Sequence, residues 1–133
     1  MTIDEQIQEL NNTVKCTLAP SEIHGIGVFA LRDIREGEKL YTAPTEYKMY
    51  EMPYKKLKKL RPEIKKLVLE RWPMAFNDVP FESPNNVGLM SFMNHSEDPN
   101  SLQDIASKDI EKGEEVTEDY RIIENYKKIF DFL

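Results

Sequence analysis

Cysteine is almost missing from this chain: Cys16 is the only one in 133 residues. One thiol can neither close an internal disulfide nor build a cysteine zinc cluster, and it points to a reducing, intracellular setting. Histidine is scarce too. His24 and His95 are the only two, at no spacing that suggests a metal, so no metal site is expected. No run of about 18 apolar residues occurs, so no membrane span and no membrane partner are expected. The opening MTIDEQIQELNN has no basic segment followed by an apolar one and does not read as a signal peptide.

Positive charge is in the minority. Eighteen Lys and Arg face 24 Asp and Glu, for a net charge of −6. Such a field repels nucleic acid and favours a basic partner, for example a lysine-rich protein segment; read alone, the same charge is ordinary solubilising surface. One basic island, Lys55-Lys56 to Lys66, has the spacing of a solvated helix face more than of a binding patch. What is present is apolar content of 40% with 32% charged residues, which suits one globular domain over 1–133.

Residues 2–11 suit a short, frayed helix, and Thr13 to Leu18 alternates like a strand. Val28 to Leu31 reads as a strand, Asp33 to Glu38 as a tight turn through Gly37, and Lys39 to Tyr41 as the start of another strand. Met52 to Trp72 carries Leu57, Leu60, Ile64, Leu67 and Val68 at helical spacing. Pro62 interrupts it and suits a helix start, so two short helices are expected. Val87 to Met93 is a buried strand or a short helix. In the tail, Ile122, Tyr126, Ile129, Phe130 and Leu133 have helical spacing. One internal echo stands out: residues 30–40 and 106–116 share A-x-[RK]-D-I-x-x-G-E-x-[LV], offset by 76 residues. Two distant copies do not make a solenoid.

Gly25-Ile26-Gly27-Val28-Phe29-Ala30 fits the dinucleotide fingerprint G-x-G-x-x-A. That fingerprint needs a buried strand before it and a helix after it. Here Ala19-Pro20-Ser21-Glu22 is loop chemistry, and a strand-turn-strand unit follows. The glycines therefore serve another close backbone approach. Asn94-His95-Ser96-Glu97-Asp98-Pro99-Asn100 alone reads as a polar turn or a structural asparagine-histidine corner. Glu115 to Tyr120 alone is a strand end with a tyrosine.

In order along the chain, three stretches resemble the SET domain family of protein-lysine methyltransferases. They are His24-Gly25-Ile26-Gly27-Val28-Phe29-Ala30, Phe92-Met93-Asn94-His95-Ser96 with Pro99-Asn100, and Gly113-Glu114-Glu115-Val116-Thr117 with Asp119-Tyr120. The resemblance covers roughly residues 14–120. It implies a mainly β, β-clip-like fold of small sheets with short helices, a knot-like C-terminal segment, a helical insert at about 47–75 and an aromatic C-terminal segment at about 121–133. It implies an S-adenosylmethionine (AdoMet)-dependent N-methyltransferase acting on a lysine of a basic protein: a histone, a histone-like or a ribosomal protein. AdoMet would sit on one face and the lysine on the other, joined by a narrow channel.

Carried over residue by residue, the resemblance gives Tyr120 the catalytic role. His24, Gly25, Ile26, Gly27, Tyr47, Asn94 and His95 would hold the cofactor. Phe92, Tyr120 and Tyr126 would line the substrate channel. No direct nucleic-acid contact is implied, and oligomeric state is open to a homodimer. The compact form resembles viral or prokaryotic members, which implies a cytoplasmic setting, in the host if viral. Ser91 stands where an arginine is usual, Glu97 where a cysteine is usual, and the link from Asn100 to Ala106 is short. No cysteine-rich zinc segment is present to close the channel; Tyr126, Phe130 and Phe132 are candidates for that task, or else belong to a helix docked for stability. The alternative reading is a catalytically idle SET module that binds a basic protein.

Overall fold

The computed structural model describes residues 1–42 and 49–133. Helix α1 (Ile3–Thr13) is capped rather than frayed: the Thr2 hydroxyl accepts the Glu5 N–H at 3.1 Å, and Asp4 and Glu5 sit in its first turn, where the helix dipole favours acids. Gln6, Ile7 and Leu10 are its buried face. Ile7 and Leu10 pack with Val14 into one of two apolar clusters.

That cluster belongs mostly to the insert. It collects Tyr50, Leu57, Ile64, Val68 and Phe81. They come from the hairpin of β3 (Met49–Tyr50) and β4 (Phe81–Glu82), a 3-10 turn at Tyr54–Lys59, and α2 (Pro62–Arg71). Pro62 occupies the first turn of α2, where its missing N–H costs nothing. Full burial of a side chain such as Ile64 or Val68 contributes about 1.5–3 kcal/mol. Lys55, Lys58, Lys59 and Lys66 stay exposed, so the basic island is a solvated face of the insert.

The second cluster lies on the main sheet and holds Cys16, Val28, Ile34, Leu40, Leu89, Met93, Ile110 and Val116. Burial pushes the Cys16 thiol up to about 12, so it behaves as a small apolar side chain. The sheet runs β1 (Cys16–Pro20), β2 (Ile26–Ala30), β8 (Glu115–Glu118), β5 (Asn94–His95). β1 and β2 are antiparallel from Cys16↔Ala30 to Pro20↔Ile26, and β2 pairs β8 through Val28↔Val116. β5 joins β8 in parallel, with Asn94↔Thr117 and His95↔Glu118. A second hairpin pairs β6 (Ser101–Leu102) with β7 (Ile105–Ala106). Small sheets with short helices are the architecture that the resemblance implies.

Three local expectations need correction. Lys39 to Tyr41 is not a strand: only the bridge Lys39↔Ile105 forms, and the Leu40 N–H goes to the Asp104 carbonyl at 2.8 Å. Val87 to Met93 is no single element, because Gly88 at φ +65 separates 3-10 turns at Pro84–Val87 and Leu89–Phe92. The tail keeps one helical turn, α3 (Tyr126–Ile129), entered through Asn125 at φ +62. Ile122, Ile129 and Phe132 are exposed, so the helical spacing there does not mark a core face.

Candidate active site

The loop between β1 and β2 is folded by Ser21. Its N–H reaches the Gly25 carbonyl at 2.8 Å, and its hydroxyl accepts the N–H groups of Ile23 (3.0 Å) and His24 (3.4 Å). A hydroxyl bonding two residues ahead competes well with regular structure and holds a compact turn. The loop is further tied to β5. The buried Asn94 side-chain nitrogen points at the His24 carbonyl (3.0 Å), the Ile26 carbonyl (3.3 Å), the Ser21 hydroxyl (3.1 Å) and Glu115 Oε2 (2.9 Å). Four acceptors around one amide nitrogen fix its orientation.

Pairing of β5 with β8 puts His95 beside the residues that follow β8. His95 Nδ1 accepts the Tyr120 N–H at 3.0 Å. A neutral imidazole that accepts at Nδ1 carries its proton on Nε2. That Nε2 is buried and has no hydrogen-bond partner among the described residues. The Tyr120 ring lies 5.2 Å from the His95 ring and stacks on Phe130 at 4.6 Å. Its hydroxyl donates a short hydrogen bond to the Met93 carbonyl. Burial first, and the nearby Glu118 charge second, hold the phenol above its ordinary value, so it stays protonated at neutral pH.

Asp119 steadies the turn that carries Tyr120. Its carboxylate accepts the Arg121 backbone N–H (2.9 Å) and is gripped by Arg121 Nε (2.9 Å) and an Arg121 terminal nitrogen (2.8 Å). These bonds pull the Asp119 carboxyl down to about 2. The same carboxylate lies 3.8 Å from His95 Nδ1.

These elements enclose a cavity of about 630 Å³ lined by Ile23, His24, Asn94, His95, Tyr120, Phe130 and Phe132. Of the residues singled out in sequence, His24, Asn94, His95 and Tyr120 meet there. Gly25, Ile26 and Gly27 do not line the cavity; Gly25 and Ile26 are exposed and Gly27 is buried. Gly25 has φ +48 with open space around it, and the Ile26 carbonyl is engaged by Asn94. At Gly27 the space a Cβ would take is filled by the Glu115 and Asn94 side chains. Phe92 and Tyr126 do not line the cavity, and Phe92 is exposed on its 3-10 turn. Tyr47 lies outside the described residues. A second cavity of similar size, between α2 and β1, is lined by Ala30 and Gly113 from the ends of two motif stretches but by none of the residues given a catalytic, cofactor or channel role.

Sequence reading missed Ser21, Ile23 and Glu115. Glu115 had a signal. It is one of the variable positions of the internal echo, where Lys39 stands in the other copy. Among the described residues no group of three or more His, Cys, Asp or Glu side chains could hold a metal ion.

A family model described as the SET domain matches residues 25–121, most of the chain, including Asn94, His95 and Tyr120 of the cavity. The chain belongs to the SET domain family. Solved structures to which the chain is similar include the Chaetomium thermophilum Polycomb Repressive Complex 2 bound to GSK126. It is 23% identical, with a TM-score of 0.46 over 87% of this chain and 17% of that one. An apo ctPRC2 carrying two substitutions in Ezh2 is 21% identical, with a TM-score of 0.47 over 88% of this chain and 16% of that one. This SET chain thus spans about a sixth of the length of those chains. No curated protein matches its sequence.

Proposed function

We propose that this SET domain is an AdoMet-dependent protein-lysine N-methyltransferase acting on a basic protein, in a cytoplasmic setting. The observation that carries the reading is the convergence of His24, Asn94, His95 and Tyr120 on one cavity from segments far apart in sequence. The residues present fit AdoMet. The buried Nε2–H of His95 is a donor without a partner, and buried donors need one. The faces of Tyr120, Phe130 and Phe132 suit both a flat aromatic base and a cationic group. His24, Asn94 and His95 would hold the group, which supplies a methyl on a sulfonium.

The rest is what the chain itself does. Lysine has a pKa near 10.4, so presenting it as a neutral amine at pH 7 costs about 4–5 kcal/mol. Aromatic walls disfavour the ammonium and reduce that cost. Tyr120 cannot be the base, because its phenol is held protonated and its proton is given to the Met93 carbonyl. Its oxygen keeps lone pairs with which to accept an amine N–H and aim the nitrogen. Rate then comes from alignment and electrostatic placement. Phe130, stacked on Tyr120, supports a role for the aromatic tail in closing the cavity.

The same stacking favours a second reading: a SET module whose tyrosine is covered and which binds a basic protein without turnover. Calorimetric titration with AdoMet, followed by mass spectrometry of a histone mixture and cell extract, tests both. Binding followed by added methyl mass on lysine supports the enzyme. Binding with no methyl transfer on any protein supports the idle module, and no binding removes the cofactor assignment.

A further inference from the structure

Gly27 is conspicuous because its missing side chain is replaced by another residue. A Cβ built there would lie 2.8 Å from the Glu115 carboxyl carbon, closer still to Oε2, and 3.1 Å from the Asn94 side-chain nitrogen. A Cβ there would push the Glu115 carboxylate, the far end of a flexible side chain, out of its place, so the carboxylate as positioned needs glycine at 27. The carboxylate makes full use of the room. Oε1 accepts the Ser21 hydroxyl at 2.6 Å, and Oε2 accepts the Asn94 amide at 2.9 Å. Ser21 folds the loop that carries Ile23 and His24, while Asn94 is part of β5. The Glu115 main chain is anchored in turn, its carbonyl accepting from the Asn100 side chain at 2.9 Å.

We infer that Glu115 is a positioning residue: by bridging Ser21 and Asn94 from behind, it sets the cavity wall formed by Ile23, His24 and Asn94. Only a carboxylate serves. It offers an acceptor to each of two donors, whereas an amide of the same shape would face one donor with its own NH2. Hydrogen bonds to a charged group are the stronger kind, and the bridge joins two segments 73 residues apart in sequence. In this way β8 acts on the wall without touching a ligand. The inference rests on the cavity being the AdoMet site, and its test separates the two claims.

Wild type, Glu115→Gln, Glu115→Ala, Gly27→Ala and the Gly27→Ala/Glu115→Ala pair are titrated with AdoMet by calorimetry. Amide hydrogen exchange of Ile23 and His24 is followed without ligand. Glu115→Gln is expected to bind about tenfold more weakly than wild type and to exchange both amides faster, the loss of one charged hydrogen bond. Gly27→Ala is expected to bind more weakly still. Adding Glu115→Ala should bring it close to the level of Glu115→Ala alone, since the carboxylate that the new methyl displaces is then gone and only the 3.1 Å contact with the Asn94 nitrogen remains. A general loss of structure would make the two changes add instead. Wild-type affinity in Glu115→Gln, simple additivity in the pair, or unchanged exchange at Ile23 and His24 would each overturn the inference. Failure of wild type to bind AdoMet overturns the cofactor reading instead, and the exchange data still decide the bridge.

Discussion

Ile34 and Ile110 exchange both of their backbone hydrogen bonds, at 2.8 and 2.7 Å. They occupy the same place in the two copies of the internal echo, and the pairing around them is two-fold. The Gly37 N–H meets the Ala106 carbonyl and the Gly113 N–H meets the Ala30 carbonyl, both at 2.8 Å. Asp33 accepts the Lys112 N–H at 2.8 Å and Asp109 accepts the Glu36 N–H at 2.9 Å. Glu38 and Glu114 each close their own turn on the N–H three residues back. The echo is therefore one half-unit used twice, face to face, with Gly37 at φ +88 and Gly113 at φ +89.

This symmetry makes Asp33→Ala and Asp109→Ala equivalent changes. Each removes one side-chain acceptor from a backbone N–H of the other copy and should cost about 1 kcal/mol. Urea denaturation of the two variants is the measurement. Equal losses are expected; a loss at one site with none at the other would show that the two turns do not share the load.

Legibility in sequence followed the type of interaction. Contacts encoded by local spacing could be read: the apolar positions of α2, the start at Pro62, the turn at Gly37. Ordered motifs pointed to the cavity because His24, Asn94, His95 and Tyr120 are named by type and order. The bridge of Glu115 to Ser21 and Asn94 could not be read, since it depends on which residue fills the space at Gly27, a matter of register between β2 and β8. The tail misled because Ile122 and Ile129 repeat at helical spacing with no neighbouring element for them to pack against.

His95 has two nitrogens with different tasks, and substitutions can separate them. His95→Asn keeps an acceptor where Nδ1 now takes the Tyr120 N–H, and loses the buried Nε2–H. It should stay within about 1 kcal/mol of wild-type stability, while His95→Ala, which orphans that N–H, should lose about 1–3 kcal/mol. Both should weaken AdoMet binding. Thermal melts and calorimetry read the two effects; equal destabilisation by Asn and Ala would remove Nδ1 from the account.

Tyr120→Phe takes away the hydroxyl and its hydrogen bond to the Met93 carbonyl but keeps the ring between His95 and Phe130. Stability should fall by about 1 kcal/mol, and methyl transfer by about a hundredfold or more if that oxygen aims the amine. AdoMet affinity should change little. Single-turnover transfer to a histone mixture, compared with wild type at saturating AdoMet, checks the ratio. Undiminished transfer would take the oxygen out of the mechanism.

Arg121 sets the ionisation of Asp119. With its hydrogen bonds in place the carboxyl is at about 2, below the ordinary carboxylate value of about 3.9 in an unfolded chain. A depressed folded-state value means stability that is complete above about 3.9 and is lost as pH falls through about 2. Arg121→Ala should let the Asp119 carboxyl rise toward the ordinary value and flatten this part of the acid dependence. Carbon-detected NMR titration of Asp119 follows the change. A carboxyl that stays near 2 in the variant would mean that other groups, not Arg121, depress it.

Glu118 has the opposite sign. It ends β8 opposite His95, half-buried, and burial first and Asp104 second hold its carboxyl above the ordinary value. The folded state then keeps this proton more tightly than the unfolded chain, so ionisation subtracts stability. The deficit is full above the raised value and vanishes below the unfolded value of about 4.3. Glu118→Gln should therefore melt higher than wild type at pH 7, with the gap closing as pH is lowered through the raised value to about 4. The Tyr120 phenol should also move down toward its ordinary value, because the Glu118 charge contributes to its elevation. A melting gap that is equal at both pH values, or reversed, would mean that the Glu118 carboxylate is stabilised where it stands.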